Sequence, residues 1–159
     1  MIPAEIPPQP APVAVVSMTV PERIPLACVK QSSEDYGVPQ MLLLAILKQE
    51  SNARAGAIGK NSNGTYDIGP AQFNTASWVP YFANRYGIRP EALANDMCQA
   101  IRAMAYAIRT EANTSTCRGE VLWCGVGRYH APRNEAARTR YIIRVDEKLR
   151  RMIRTGRFD

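Results

Sequence analysis

The run LLLAILKQESN, Leu42 to Asn52, leads a block of apolar helix formers into Lys48, Gln49 and Glu50. Counting back three, four and seven residues from Glu50 reaches Leu47, Ile46 and Leu43, which share its face on a helix. A carboxyl group held against apolar neighbours loses hydration of its charged form. Its pKa rises, and it can hold and deliver a proton near neutral pH. Glycosidases use a general acid of this kind. The competing reading is a helix-end glutamate that bends out to solvent, the ordinary fate of that residue type.

Other chemistries find little footing. His130 is the sole histidine, there is no H-E-x-x-H run, and no Cys or His cluster has metal-ligand spacing. The phosphate loop G-x-x-x-x-G-K-[ST] is missing. The G-x-G of GVGRYH follows no strand signal, which argues against a dinucleotide site. No nucleophile elbow frames a serine.

The elements that must position Glu50 read as helices. Residues 26–36 carry one stripe, Leu26, Val29, Ser33 and Tyr36, and stop at Gly37; Pro39 then opens the helix that bears the acid. Residues 53–74 hold four glycines and no sustained period, which predicts a long irregular loop or a chain of turns, the kind that is usually functional in a small domain. TASWVPYFANRYG and RPEALAND each carry helix punctuation. DMCQAIRAMAYAIRTEAN is the clearest periodic segment, with Cys98, Ile101, Ala105 and Ile108 in line. A short helix around GEVLWCGVGRYH ends before Pro132. A final helix over about 135–154 aligns Tyr141, Ile142, Val145, Leu149, Met152 and Ile153 as its apolar side. Strand signals are weak, and the predicted class is all-α.

Composition bounds the rest. A chain of 159 residues with 46% hydrophobic content suits one core. Seven of its twelve prolines fall in the first 25 residues, so residues 1–23 read as an extended linker or arm, with the packed domain over 24–159. No apolar run is long enough to span a bilayer, and VAVV is too short for the core of a signal peptide. The formal net charge is +6, and residues 133–159 hold nine Lys or Arg against four Asp or Glu. Such a basic end could meet an anionic polymer or simply be solvated. Cys28, Cys98, Cys117 and Cys124 fit two disulfides, with three possible connectivities, or four reduced core thiols.

Three short motifs, taken in order, resemble those of the soluble lytic transglycosylases, whose fold is akin to that of goose-type lysozyme. They are Glu50-Ser51 closing an apolar helix, Gly69-Pro70-Ala71-Gln72-Phe73-Asn74 after the loop, and Tyr129-His130. YGVPQMLLLAILKQES and NSNGTYDIG look most like the small specialised members that accompany conjugation and secretion machines. The resemblance spans residues 26–132, with the basic helix of 133–159 beyond it.

The resemblance implies an enzyme of the periplasm or the secreted space that needs no cofactor and no metal. It would act on the glycan strands of peptidoglycan beside components of a conjugation or type IV secretion complex, with no specific nucleic acid as partner. Glu50 matches the single catalytic acid and base. It would cleave the β-1,4 bond between N-acetylmuramic acid and N-acetylglucosamine and leave a 1,6-anhydro-muramoyl end. Ser51, Gly69, Gln72, Tyr129 and His130 match substrate-binding positions, with Tyr129 near the acid and able to hydrogen-bond it. The resemblance also implies Cys28–Cys98, which leaves Cys117–Cys124. Two departures stand out. Pro70-Ala71 replaces the usual Leu-Met, removing bulk where a sugar subsite would be lined. His130 replaces the usual Asn and brings a pH-sensitive group to the site. The alternatives are a lysozyme-like hydrolase, a weak or inactive wall-binding scaffold module encouraged by Pro70-Ala71, and a basic nucleic-acid binder resting on charge alone.

Overall fold

The computed structural model describes residues 18–118 and 121–159; the proline-rich stretch of residues 1–17 lies outside the described residues. The helices are α1 (Leu26–Tyr36), α2 (Gln40–Ser51), α3 (Trp78–Tyr86), α4 (Pro90–Asn95), α5 (Met97–Ala112), α6 (Val121–His130) and α7 (Glu135–Thr155). The strands are β1 (Ile58–Lys60), β2 (Tyr66–Ile68) and β3 (Phe73–Asn74). The described residues are therefore mostly helical, with one small antiparallel sheet in the order β1-β2-β3. The sheet corrects the expectation of an irregular loop over residues 53–74. Ile58 pairs with Ile68 and Lys60 with Tyr66, and Asp67 faces Asn74 across the second ladder.

Helix α2 is the centre of the core. Met41 to Leu47 are buried without a break, so this helix is apolar on every side and not along one stripe. It packs against α7, while α5 holds α1, α4 and α6 around itself. Helix α6 lies very close to α5. A Cβ at Gly125 would sit 2.7 Å from both the Ala112 Cβ and the Ile108 carbonyl oxygen, so only glycine permits this spacing. Cys28–Cys98 ties α1 to α5, and Cys117–Cys124 closes the connection from α5 into α6. Two disulfides match an oxidising compartment. Among the described residues no helix is long and apolar enough to cross a membrane.

The two ends of the described chain meet under the end of α2. Thr19 bridges Arg157 in parallel, and Phe158 is buried. The Lys48 ammonium lies 5.0 Å from the centre of the Phe158 ring. Arg23 donates from Nε to the Ala53 carbonyl (2.9 Å) and from Nη2 to the Asn52 carbonyl (2.8 Å). Asn52 and Ala53 both have left-handed backbone, φ 59° and 54°. Two such residues in a row cost energy, and the Arg23 fork holds them in place.

Candidate active site

A groove of about 720 Å³ runs between the sheet, α3 and the wall formed by α5 and α6, and Glu50 borders it. The buried stretch Met41–Leu47 anchors α2, and the last turn carries Glu50 out to the groove. The side chain is half-buried, meeting the groove at one edge and protein elsewhere. Loss of hydration pushes its pKa from 4.5 up to about 8. Tyr141 opposes the shift by donating to Glu50 Oε2 at 2.9 Å. The Asp67 carboxylate pushes it further up, and Arg144 pulls it down.

Of the residues expected at the site, Glu50, Gln72, Tyr129 and His130 line the groove, while Ser51 and Gly69 stand behind it. Ser51 donates to the Pro70 carbonyl (2.7 Å) and accepts from the Arg54 amide (3.0 Å), joining the end of α2 to the following loop. Gly69 has φ 77°, and a Cβ there would lie 2.2 Å from the Leu93 carbonyl oxygen in α4. Gln72, itself left-handed at φ 55°, donates its amide to the Gly69 (2.9 Å) and Ala57 (3.2 Å) carbonyls.

Tyr129 spends its hydroxyl proton on the Ala71 carbonyl at 2.5 Å, so the hydrogen bond to the acid comes from Tyr141 instead. His130 stacks on the Tyr141 ring, with centroids 4.2 Å apart and planes within 6°. Partial burial, then Arg144 and Arg140, lower the His130 pKa below 6.5 against the opposing pull of Asp67. The ring is therefore neutral at neutral pH. Pro70 and Ala71 are buried and do not line the groove, which corrects the expectation that they thin a subsite wall.

Tyr141 and Asp67 both act on Glu50, and the sequence assigns neither of them a site role. Tyr141 lay in the apolar stripe of the last helix, where a tyrosine reads as core. Asp67 lay in the stretch read as loop. Asn74 holds Asp67 from the facing strand, Nδ2 to Oδ1 at 3.0 Å, and bonds Thr65 Oγ1 at 3.1 Å. Trp78 and Tyr81 supply aromatic faces on the opposite wall, and Asn61 and Thr65 supply polar groups on the sheet side. Among the described residues no group of three or more His, Cys, Asp or Glu could hold a metal ion.

An acid with a raised pKa, a second carboxylate, aromatic faces and polar side chains along one groove define a class of sites suited to acid chemistry on a polar ligand. No family model matches the chain. Invasion protein IagB of Salmonella typhimurium (strain SL1344) is 30% identical over 128 residues, covering 79% of this chain and 76% of the relative. The same holds for Invasion protein IagB of Salmonella typhi. The X polypeptide of Escherichia coli is 34% identical over 104 residues, covering 65% of this chain and 58% of that protein. The chain belongs to the family of the invasion protein IagB.

Proposed function

We propose that the protein is a peptidoglycan lytic transglycosylase with a lysozyme-like fold, acting in the periplasm to open the wall locally at a secretion or conjugation apparatus. The observation that carries this reading is the half-buried Glu50 carboxyl, with a pKa near 8, at the edge of a groove of about 720 Å³ lined by aromatic and polar side chains. Tyr141 donates to Oε2, and an oxygen that accepts such a bond is the less protonated one. Oε1 then carries the proton. It would pass to the glycosidic oxygen as the bond to the anomeric carbon breaks. Glu50, now ionised, would take the proton of the muramoyl C6 hydroxyl as that oxygen closes on the anomeric carbon. One carboxyl serves both steps, which a pKa near the working pH favours. Gln72 and Asn74 would meet the N-acetyl groups, and Trp78 and Tyr81 would take the apolar faces of sugar rings.

Asp67 favours a second reading, a lysozyme-like hydrolase. A carboxylate in the groove can stabilise an oxocarbenium-like centre or hold a water for attack. Mass spectrometry of digested sacculi separates the two. Anhydro-muropeptides are the expected product, lost in Glu50→Gln and reduced in Asp67→Asn. Reducing ends would establish the hydrolase, and intact sacculi with bound protein would leave only a wall-binding module. The two disulfides agree with an extracytoplasmic role.

A further inference from the structure

One ion pair in the groove has no part in the acid chemistry above. Arg128 on α6 donates from Nε to Glu111 Oε2 on α5 at 3.0 Å. Both side chains are mostly buried, with 22% and 18% exposed, and both line the groove. Arg128 is the one Arg or Lys among the described groove-lining residues, and His130 beside it is neutral at neutral pH. The acidic side chains among the described groove-lining residues are Glu50, which holds its proton at neutral pH, Asp67 and Glu111. A guanidinium bonded through Nε alone keeps the end-on edge formed by its two Nη groups, and that edge matches a carboxylate in a bidentate fork.

We propose that Arg128, oriented by Glu111, is a carboxylate-recognition site on the α5–α6 wall. Its ligand is the acidic group that a muramoyl residue carries on its lactyl arm or its stem peptide. The inference rests on the reading of the groove as a glycan cleft and adds what that reading lacks, the means of telling an acidic wall polymer from neutral chitin. A chitin chain offers the groove only neutral groups. A muramoyl chain offers a carboxylate, and the wall provides one cation for it. Glu111 holds the guanidinium in place while no ligand is bound. It also disfavours any carboxylate that approaches from the Nε side, which fixes the direction of entry.

Binding is measured by titration calorimetry on the full chain carrying Glu50→Gln, so that no turnover is needed. Three ligands are compared: chitotetraose, a peptide-free GlcNAc-MurNAc tetrasaccharide with free lactyl carboxylates, and the same tetrasaccharide bearing stem peptides. Adding Arg128→Gln should weaken the acidic ligands roughly ten- to a hundred-fold relative to chitotetraose. Whichever acidic ligand loses more identifies the carboxylate as lactyl or peptidic. Adding Glu111→Gln instead should leave the preference for acidic ligands in place, because the cation remains. If Arg128→Gln and Glu111→Gln weaken all three ligands by the same factor, with equal falls in Tm, the pair is only a brace between helices and the proposal is overturned. If Arg128→Gln does not fold, Arg128→Lys keeps the charge without the fork and should lose part of the preference; an undiminished preference overturns the proposal. If chitotetraose binds and the carboxylates add no affinity, the proposal alone falls. If no glycan binds, the glycan-cleft reading falls with it.

Discussion

Replacing Glu50 by glutamine tests the placement of the acid without any substrate. The pKa of about 8 against 4.5 in a solvated chain means that folding between those values takes up a proton. The native state binds more protons than the unfolded chain there, so stability falls as pH rises from 4.5 and levels off above 8. At 1.36 kcal/mol per pKa unit, the penalty is about 1 kcal/mol at pH 5, about 3 kcal/mol at pH 7 and nearly 5 kcal/mol at pH 9. Glutamine cannot ionise, and its carbonyl can still accept from Tyr141. The variant should gain on the wild type by those amounts, offset by a constant that does not depend on pH. For a domain of this size the gap in Tm should widen by about 7–10 °C between pH 5 and pH 7. Paired thermal melts across pH 5–9 measure it, and all other titrating groups cancel in the difference. A gap that stays level across that range would show that Glu50 ionises as freely as a surface carboxyl, and the acid role would fail with it.

Three further outcomes follow from the same geometry. If Glu50 acts first as an acid, kcat/KM on sacculi should fall above about pH 8. Tyr141→Phe removes the bond that lowers the Glu50 pKa while keeping the ring on His130, so that limb should move to higher pH; a limb that stays put or moves down contradicts the assignment. Gly69→Ala should cost about 3 kcal/mol or more in urea denaturation, from left-handed strain and collision with the Leu93 carbonyl. Gly64→Ala, at φ 86° with open space around it, should cost only about 1–2 kcal/mol for the backbone alone. Cys28→Ser with Cys98→Ser opens a 70-residue span and should cost about 4 kcal/mol, against about 2–3 kcal/mol for Cys117→Ser with Cys124→Ser across 7 residues. Equal Tm losses for the two pairs would rule out loop closure as the source.

Most helices were legible because they are long enough to display a period and carry their own stop signals, while the six-residue α4 showed only its punctuation. Tyr36 before Gly37, Tyr86 before Gly87 and Thr155 before Gly156 close three of them on left-handed glycines. The sheet was not legible, since strands of two or three residues cannot show alternation. Their pairing is set by the ladder and by side chains such as Asn74 and Asp67. Glu50 could be singled out from its place in an apolar helix. Its hydrogen-bond donor could not, because Tyr141 lies 91 residues away and occupies a position indistinguishable by pattern from the core residues Ile142 and Val145. The cysteine count left three connectivities open. The resemblance, and not the count, implied Cys28–Cys98, and the approach of α1 to α5 brings the two together.

The same limit explains why Pro70-Ala71 read as a loss and is not one in the groove. A motif is written in side chains, but this loop works through its carbonyls. Ser51 from the end of α2 donates to the Pro70 carbonyl, and Tyr129 from α6 donates to the Ala71 carbonyl. Both acceptors survive any change of side chain at these positions, including the change to proline, which removes a donor and not an acceptor. The two hydroxyls pin the loop from opposite sides, just before Gln72 and the strand that carries Asn74. Asn74 in turn orients Asp67. The position of the second carboxylate is thus tied through one short run of backbone to the helix that carries the first. What the small pair alters is the packing beneath the loop, where Pro70 and Ala71 are buried, and the wall that meets a ligand is built from other residues.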